Sequence, residues 1–97
     1  MRPTNTQSLS DILKDFLDDN PLLNEKMAET RALNAWEELL GAATAAYTSN
    51  VYIRNRVLYV HVSSAVLRSE LTMCREKLTE RLNEKAGMSV VDSIVLR

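Results

Sequence analysis

The chain has 97 residues, which is the size of one domain. Hydrophobic residues make up 45% of it and charged residues 26%, proportions that are typical of a soluble globular protein. The formal net charge of −1 and the pI near 5.8 argue against a strong, nonspecific nucleic-acid-binding protein.

The sequence shows no signal for a membrane or an export route. No apolar run is long enough to span a bilayer, and the N-terminal stretch MRPTNTQSLSD lacks the apolar core of a secretion signal. The single cysteine can form no internal disulfide, which fits a reducing compartment. We therefore expect a cytoplasmic protein without a membrane partner.

Charge is distributed unevenly along the chain. Residues 1–48 carry four basic and eight acidic side chains, whereas residues 49–97 carry eight basic and five acidic ones. This asymmetry favours different partners for the two halves, and ordinary solvated surface charge explains it equally well.

Two helices are predicted before the first strand. Asn20 and Pro21 end the first helix and begin the second, because asparagine can cap a helix and proline suits the first helical position. The second helix is predicted from about Pro21 to about Tyr47, with Thr30 or Gly41 as alternative points of division. Apolar residues at helical spacing in the first helix are Leu9, Ile12, Leu13, Phe16 and Leu17. Those in the second helix are Leu23, Met27, Leu33, Trp36, Leu40, Ala43 and Tyr47.

A β-hairpin follows, formed by VYIR and VLYVHV around Asn55 and Arg56. A turn at these two residues places Tyr52 opposite Tyr59 and continues the pairing toward the helices. This register collects the apolar side chains on one face, which a slip of one residue would not do. The apolar face is predicted to carry Val51, Ile53, Leu58, Val60 and Val62, with Val51 opposite Val60. The other face carries Tyr52, Arg54, Tyr59 and His61.

The last two elements are a helix and a strand. The helix is predicted from about Ala65 to Ala86, with Ser63 or Ser64 as its N-cap and Gly87 as its C-terminal stop. The strand is predicted in SVVDSIVL, and its alternation leaves the inward face open between two sets of side chains. The two sets are Val90, Ile94 and Leu96 on one side and Val91 and Val95 on the other.

The element order α-α-β-β-α-β predicts an α+β fold. The helix between the last two strands indicates a right-handed crossover to a parallel neighbour, hence a three-stranded mixed sheet with helices packed on one face. We expect one domain over residues 1–97, in which the helix within residues 1–20 is peripheral and residues 21–97 form the core.

The sequence contains no recognisable catalytic or metal site. One histidine and one cysteine cannot build a zinc site, and neither a phosphate-binding loop nor a nucleophile motif occurs. Cys74 lies on the apolar stripe of its helix and is predicted to be a core residue. We therefore expect no enzyme activity, no catalytic residues, no metal and no cofactor.

The polar face of the hairpin is the best candidate for function. Its four residues form what we call the outer-face patch, defined as Tyr52, Arg54, Tyr59 and His61, with Arg56 beside it in the turn. Tyrosine rings can stack on bases, arginines can neutralise phosphates, and both residue types are frequent in protein interfaces. The alternative is that the two tyrosines only stabilise the hairpin as a cross-strand pair.

Two further arginines give a weaker signal. Arg68 and Arg75 are seven residues apart, and Arg68 is near a helix N-terminus that favours anions. Together they are a candidate contact for a phosphate or an acidic partner. Trp36 lies on a helix stripe and is predicted to be a core residue whose indole N–H finds a hydrogen-bond partner.

Three stretches in order, AWEELLG, YTSNVYIRNRVLYVHVSSAVLRSEL and LTERLNEKAGMSVVDSIVLR, resemble the bacterial DciA-like family. The matching features are Trp36 followed by Gly41, Thr48 before the hairpin, the LYVHVSSAVLRSEL junction and the LN…G…V ending, over about residues 30–97. The resemblance implies a KH-like domain and a non-enzymatic adaptor that binds the replicative helicase and assists its loading on DNA. It also implies weak contact with single-stranded or structured DNA, or with RNA.

The chain departs from the family pattern in three respects. It has no zinc ligands, no G-x-x-G loop of the true KH domain, and no basic or disordered extension. Any nucleic-acid contact is therefore expected from the compact domain, and to be weak and salt-dependent. The alternatives are an RNA- or single-stranded nucleic-acid-binding module that uses the same sheet face, and a homodimer that buries this face. Exposure of Tyr52 and Tyr59, or their cover by the first helix, would discriminate between these possibilities.

Overall fold

A computed structural model describes residues 8–97 and contains a three-stranded sheet with helices. The elements are α1 (Leu9–Asp18), α2 (Pro21–Leu40), α3 (Ala42–Ala45), β1 (Thr48–Arg54), β2 (Val57–Val62), α4 (Ala65–Met73), α5 (Arg75–Ala86) and β3 (Ser93–Leu96). The strand order is β1-β2-β3, antiparallel between β1 and β2 and parallel between β2 and β3. The predicted α+β class and the parallel crossover are confirmed, whereas the KH-like assignment stays a prediction. The stretch MRPTNTQ, which contributed to the expectation of no secretion signal, lies outside the described residues.

Helix α1 begins after Ser8 and ends before the predicted break at Asn20 and Pro21. Ser8 and Asp11 form a capping box, in which the Ser8 hydroxyl accepts from the Asp11 N–H at 3.2 Å and the Asp11 carboxylate accepts from the Ser8 N–H at 3.4 Å. At the other end the Asn20 side-chain amide donates to the Phe16 carbonyl at 2.6 Å, and Pro21 begins α2. These contacts satisfy free backbone groups at both ends of α1.

Helix α2 ends at Leu40, so the prediction of one helix to Tyr47 is wrong. Gly41 has a φ of +85°, which a side chain disfavours, and α3 starts immediately after it. The alternative of a division at Gly41 is therefore correct. Thr30 is inside α2, where its hydroxyl donates to the Lys26 carbonyl at 3.1 Å and no new helix begins.

The core-facing stripe of α2 is narrower than its large apolar residues suggest. Leu23 and Tyr47 are exposed, and Trp36 alone of the predicted stripe is fully buried. The stripe packs near Leu82 and Ala86 of α5, because small side chains allow two helices to approach closely. The buried residues of α2 are Ala28, Ala32, Ala35 and Trp36. The Trp36 indole N–H donates to the Thr48 hydroxyl at 3.2 Å, which confirms its predicted role.

The hairpin has the predicted register at its turn and an irregularity further away. Tyr52 pairs with Tyr59, and both turn residues have positive φ, 51° for Asn55 and 66° for Arg56. Toward the start of β1, the next paired residue after Tyr52 is Ser49, which pairs with His61, so the register shifts between Ser49 and Tyr52. Two residues of β1 then face one of β2, which is a β-bulge. The predicted one-to-one pairing of Val51 with Val60 is therefore replaced by a bulge in which Asn50 and Val51 together face Val60.

The predicted helix over residues 65–86 is divided at Cys74. Ser64 caps α4 by accepting from the Leu67 N–H at 3.2 Å, and Gly87 ends α5 in the left-handed conformation. The division lets α4 pack against β2 and β3 while α5 packs mainly against α2. Cys74 is exposed at the junction, so its predicted core position is wrong.

Strand β3 is shorter than predicted, because residues 89–92 form a loop held by Asn83 of α5. The Asn83 side-chain oxygen accepts from the N–H groups of Val90 and Val91 at 2.9 and 3.0 Å, and its amide donates to the Val91 carbonyl at 2.9 Å. Without strand alternation here, Val90, Val91 and Ile94 are all buried. The buried side chains therefore come from both of the sets between which the sequence left the inward face open.

Within residues 8–97, no helix combines the length and the apolar content that crossing a bilayer requires.

Candidate partner and nucleic-acid interface

The outer-face patch lies together on the side of the sheet opposite the core. The inward face of β2 buries Leu58, Val60 and Val62, so strand alternation directs Tyr59 and His61 to the other face. On β1, Tyr52 and Arg54 are two residues apart, so both lie on this same face, and Tyr52 pairs directly with Tyr59. The patch is therefore a direct product of the hairpin register.

The two tyrosines of the patch form a stacked pair. Their ring centroids are 5.0 Å apart and their planes differ by 16°. Tyr59 is half-buried in this stack and Tyr52 is 42% exposed. The contact stabilises the hairpin as a cross-strand pair, and it also leaves one aromatic surface open to solvent.

Arg97 joins this patch, and the sequence interpretation missed it. Its guanidinium carbon is 4.9 Å from the centroid of the Tyr59 ring, a cation–π contact. Its backbone extends the pairing of β3 with β2, donating to the Val60 carbonyl at 2.9 Å and accepting from the Val62 N–H at 2.7 Å. A strand period of two continued past Leu96 would have placed Arg97 on the outer face, once the parallel pairing was known.

A shallow cavity of about 490 Å³ lies beside the tyrosine pair. We call it the tyrosine cleft, defined by its lining residues Asn50, Val51, Tyr52, Tyr59, Val60, His61 and Arg97. It combines a π surface, a permanent cation and hydrogen-bonding groups, which suits an unstacked base with its phosphate. Asn50, with a φ of 50°, belongs to the β-bulge, so the irregularity of β1 shapes one side of the cleft.

Arg56, by contrast, is engaged within the fold. Its guanidinium donates to both carboxylate oxygens of Asp92, at 3.0 and 2.9 Å, and to the carbonyl and hydroxyl of Ser89, at 3.1 and 2.9 Å. The hydrogen bond from Arg56 lowers the pKa of the Asp92 carboxyl below its ordinary value. Arg56 thus ties the hairpin turn to the loop before β3, and its predicted role toward a partner stays a prediction.

Arg68 and Arg75 are placed on different helices. The Arg68 guanidinium donates to the Val62 carbonyl at 2.8 Å, while its Nε is buried without a hydrogen-bond partner. Arg75 is exposed at the start of α5 and lines a separate cavity of about 430 Å³. That cavity also contains the carboxylates of Glu76, Glu80 and Asp92, so its charge does not favour a phosphate. A joint anion contact by the two arginines stays a prediction.

Helix α1 does not cover the tyrosine pair, since its main contacts are with α2. The outer-face patch is therefore an open surface in the part of the chain that the structure describes. Among residues 8–97, no three His, Cys, Asp or Glu side chains converge on a common point. What this surface offers is recognition by stacking and charge.

The comparisons with known proteins agree with the sequence resemblance. The chain matches the family model described as "Dna[CI] antecedent, DciA" over residues 8–96. It is also 21% identical over 91 residues to a protein of Borreliella burgdorferi described as "Uncharacterized protein", an alignment that covers 93% of this chain and 92% of that one. No solved structure matches the chain. Because the family model covers nearly the whole chain, the chain belongs to the DciA family, and this membership implies a helicase-loader-type adaptor role in bacterial DNA replication.

Proposed function

We propose that this protein is a non-enzymatic cytoplasmic adaptor that binds the replicative helicase and assists its loading on DNA. While doing so it contacts single-stranded DNA weakly through the tyrosine cleft. The family supports the adaptor role. The observation that supports the DNA contact is the stacked pair of Tyr52 and Tyr59 with Arg97 on one ring, beside an open cavity.

The physical basis of the DNA contact is base stacking assisted by positive charge. An aromatic side chain that stacks a base typically contributes about 1–3 kcal/mol, largely independent of base identity. Arg54 and Arg97 supply charge for the neighbouring phosphates, and residues 49–97 carry a net charge of +3. Since the whole chain has a net charge of −1, the contact is weak and declines steeply with salt.

The test is fluorescence anisotropy with labelled single-stranded DNA, single-stranded RNA and duplex DNA. Each is measured at two salt concentrations, with and without the replicative helicase of the same organism. We expect single-stranded DNA to bind most tightly at low salt, and more tightly when the helicase is present. The variant Tyr52→Ala should weaken binding about tenfold, which corresponds to one lost stack. Tyr47→Ala is the matched control, because Tyr47 is an exposed tyrosine outside the tyrosine cleft.

The outcomes separate the components of the proposal. Equal weakening by the two tyrosine variants would overturn the assignment of the tyrosine cleft. Preferential binding of RNA would favour an RNA-binding module on the same face. A protein that binds neither the helicase nor any of the nucleic acids at micromolar concentration would contradict the proposed function itself. Sedimentation would then test whether the protein is a homodimer.

A further inference from the structure

Helix α1 exposes an apolar surface that the fold leaves uncovered. None of its residues is buried, and Leu9 and Phe16 are 81% and 52% exposed. With Ile12, these two residues form the α1 strip, defined as Leu9, Ile12 and Phe16. Their spacing of i, i+3 and i+7 places them in one row along the helix. Large apolar residues in such a row normally lie against a partner.

The shape of the molecule holds this strip away from the sheet. The described residues extend over 57 × 27 × 20 Å, with a radius of gyration of 16.4 Å. A compact domain of this length has a radius of gyration of about 12.5 Å. Helix α1 leaves a cleft of about 320 Å³ against α2, lined in part by Leu17, Asp18 and Arg31. None of the three strip residues lines this cleft, so the α1 strip is available to an external partner.

Charge restricts the class of that partner. Helix α1 and its C-cap carry four aspartates and one lysine, a net charge of −3 over residues 8–19. Helices that lie on membranes have basic polar faces, so a lipid surface is disfavoured, and a nucleic acid would be repelled. Asp19 continues the row of Ile12 two turns further and borders the strip. A second copy would bring like acidic borders together, which is also unfavourable.

We propose that the α1 strip docks into an apolar groove on the replicative helicase, and that lysine or arginine residues border this groove. The inference rests on the proposed function and names the surface that performs it. In this recognition mode an amphipathic helix binds in a groove, and its apolar side chains at i, i+3 and i+7 serve as the anchors. Because α1 and the tyrosine cleft are on different elements, the adaptor can hold the helicase by its acidic end and single-stranded DNA by its basic sheet face.

The experiment measures the affinity of the full chain for the purified helicase of the same organism, by anisotropy of the labelled adaptor. The triple variant Leu9→Ala, Ile12→Ala, Phe16→Ala should weaken binding at least about tenfold, since apolar area would no longer be buried. Its matched control is Val66→Ala with Met73→Ala, which truncates two residues on α4 that are each 74% exposed. The control should change the affinity less than about twofold.

Two charge variants test the acidic border independently. Asp19→Lys and Asp18→Lys change the net charge equally and lie at the same end of α1, but Asp18 faces the cleft with α2. We expect Asp19→Lys to weaken helicase binding several-fold more than Asp18→Lys at low salt, with the difference vanishing at high salt. Neither variant truncates an apolar side chain of α1, so this test does not depend on whether the triple variant remains folded.

The results distinguish this inference from the proposed function. If the unmodified chain does not bind the helicase, the proposed function fails. If it binds and the triple variant binds equally well, or the α4 control weakens binding to the same extent, the α1 strip is not the docking surface. Loss of a dimer in sedimentation, or loss of binding to phosphatidylglycerol vesicles, on truncation of the strip would assign it to another partner and overturn the inference.

Discussion

Asn83 determines where the last strand lies, and the consequence of removing its side chain can be estimated from the structure. Its side chain makes three hydrogen bonds with the backbone of Val90 and Val91. These bonds hold the loop between α5 and β3, and β3 continues into Arg97 beside Tyr59. We predict that Asn83→Ala destabilises the fold and loosens the tyrosine cleft together.

The size of the effect follows from the hydrogen bonds that are lost. Each typically contributes about 1 kcal/mol net, so three amount to about 3 kcal/mol. Alanine is a better helix former than asparagine and returns about 0.6 kcal/mol, since Asn83 is inside α5. The expected loss in the free energy of unfolding is therefore about 2 kcal/mol. For a domain of this size that corresponds to a decrease in Tm of about 8–16 °C.

Equilibrium urea unfolding followed by circular dichroism measures this difference. Asn34→Ala is the matched control, because Asn34 is an exposed asparagine inside α2 and its replacement should be neutral or slightly stabilising. A loss below about 0.5 kcal/mol for Asn83→Ala, with an unchanged m-value, would refute the argument that these bonds hold the loop. An Asn83→Ala variant that binds single-stranded DNA as well as the unmodified chain would refute the link to the tyrosine cleft.

Three further predictions test the core, the ion pair and the helix division. Leu82→Ala should cost about 2–5 kcal/mol in the free energy of unfolding by urea, because Leu82 is fully buried, whereas Leu22→Ala, at a residue that is 71% exposed, should cost almost nothing. Since Arg56 lowers the pKa of Asp92 below its ordinary 3.8, their contribution to stability is present above that value and lost as the pH falls through the lower folded pKa. Thermal melts of Asp92→Asn between about pH 6 and pH 2 should therefore show a smaller decrease in Tm on acidification than the unmodified chain, and an identical decrease would contradict the pairing. Cys74 should react completely with Ellman's reagent in the native protein, because it is exposed. A thiol that reacts only after denaturant is added would show instead that Cys74 is a core residue.

The hairpin shows how far periodicity alone can go. Alternation and the Asn55–Arg56 turn predicted the pairing of Tyr52 with Tyr59, since a slip of one residue would have placed apolar side chains in water. The outer-face patch followed directly from this register. The β-bulge at Asn50 was not predicted, because the local alternation of apolar and polar residues does not mark the extra residue.

The helices show where periodicity is misleading. Leu23 and Tyr47 have helical spacing and are exposed, while Ala28 and Ala32 are buried. A large apolar residue is the stronger signal in a sequence, but the close approach of α2 to α5 selects small ones. Cys74 was misplaced for a related reason, because neither glycine nor proline marks the point where α4 and α5 part.

The candidate site also contains residues that the sequence predicted and contacts that only the structure shows. The sequence placed Tyr52, Arg54, Tyr59 and His61 on one face, because strand alternation is a local property. It could not include Arg97, which reaches Tyr59 only through the parallel pairing of β3 with β2, a contact between residues 38 positions apart. Nor could it show that Arg56 is engaged by Asp92, since that pair also joins distant segments.

The sequence by itself determined the α+β class, the helix stop at Gly87, the hairpin register at its turn and the family, because each depends on residues that are neighbours in the chain or on their order. Only the tertiary structure decided which apolar residues are buried, where the long helices divide, and that the α1 strip faces solvent. These features depend on which elements meet. The free energy gained by burying a side chain depends on its partner, and a periodic pattern records that a face is apolar without recording what covers it.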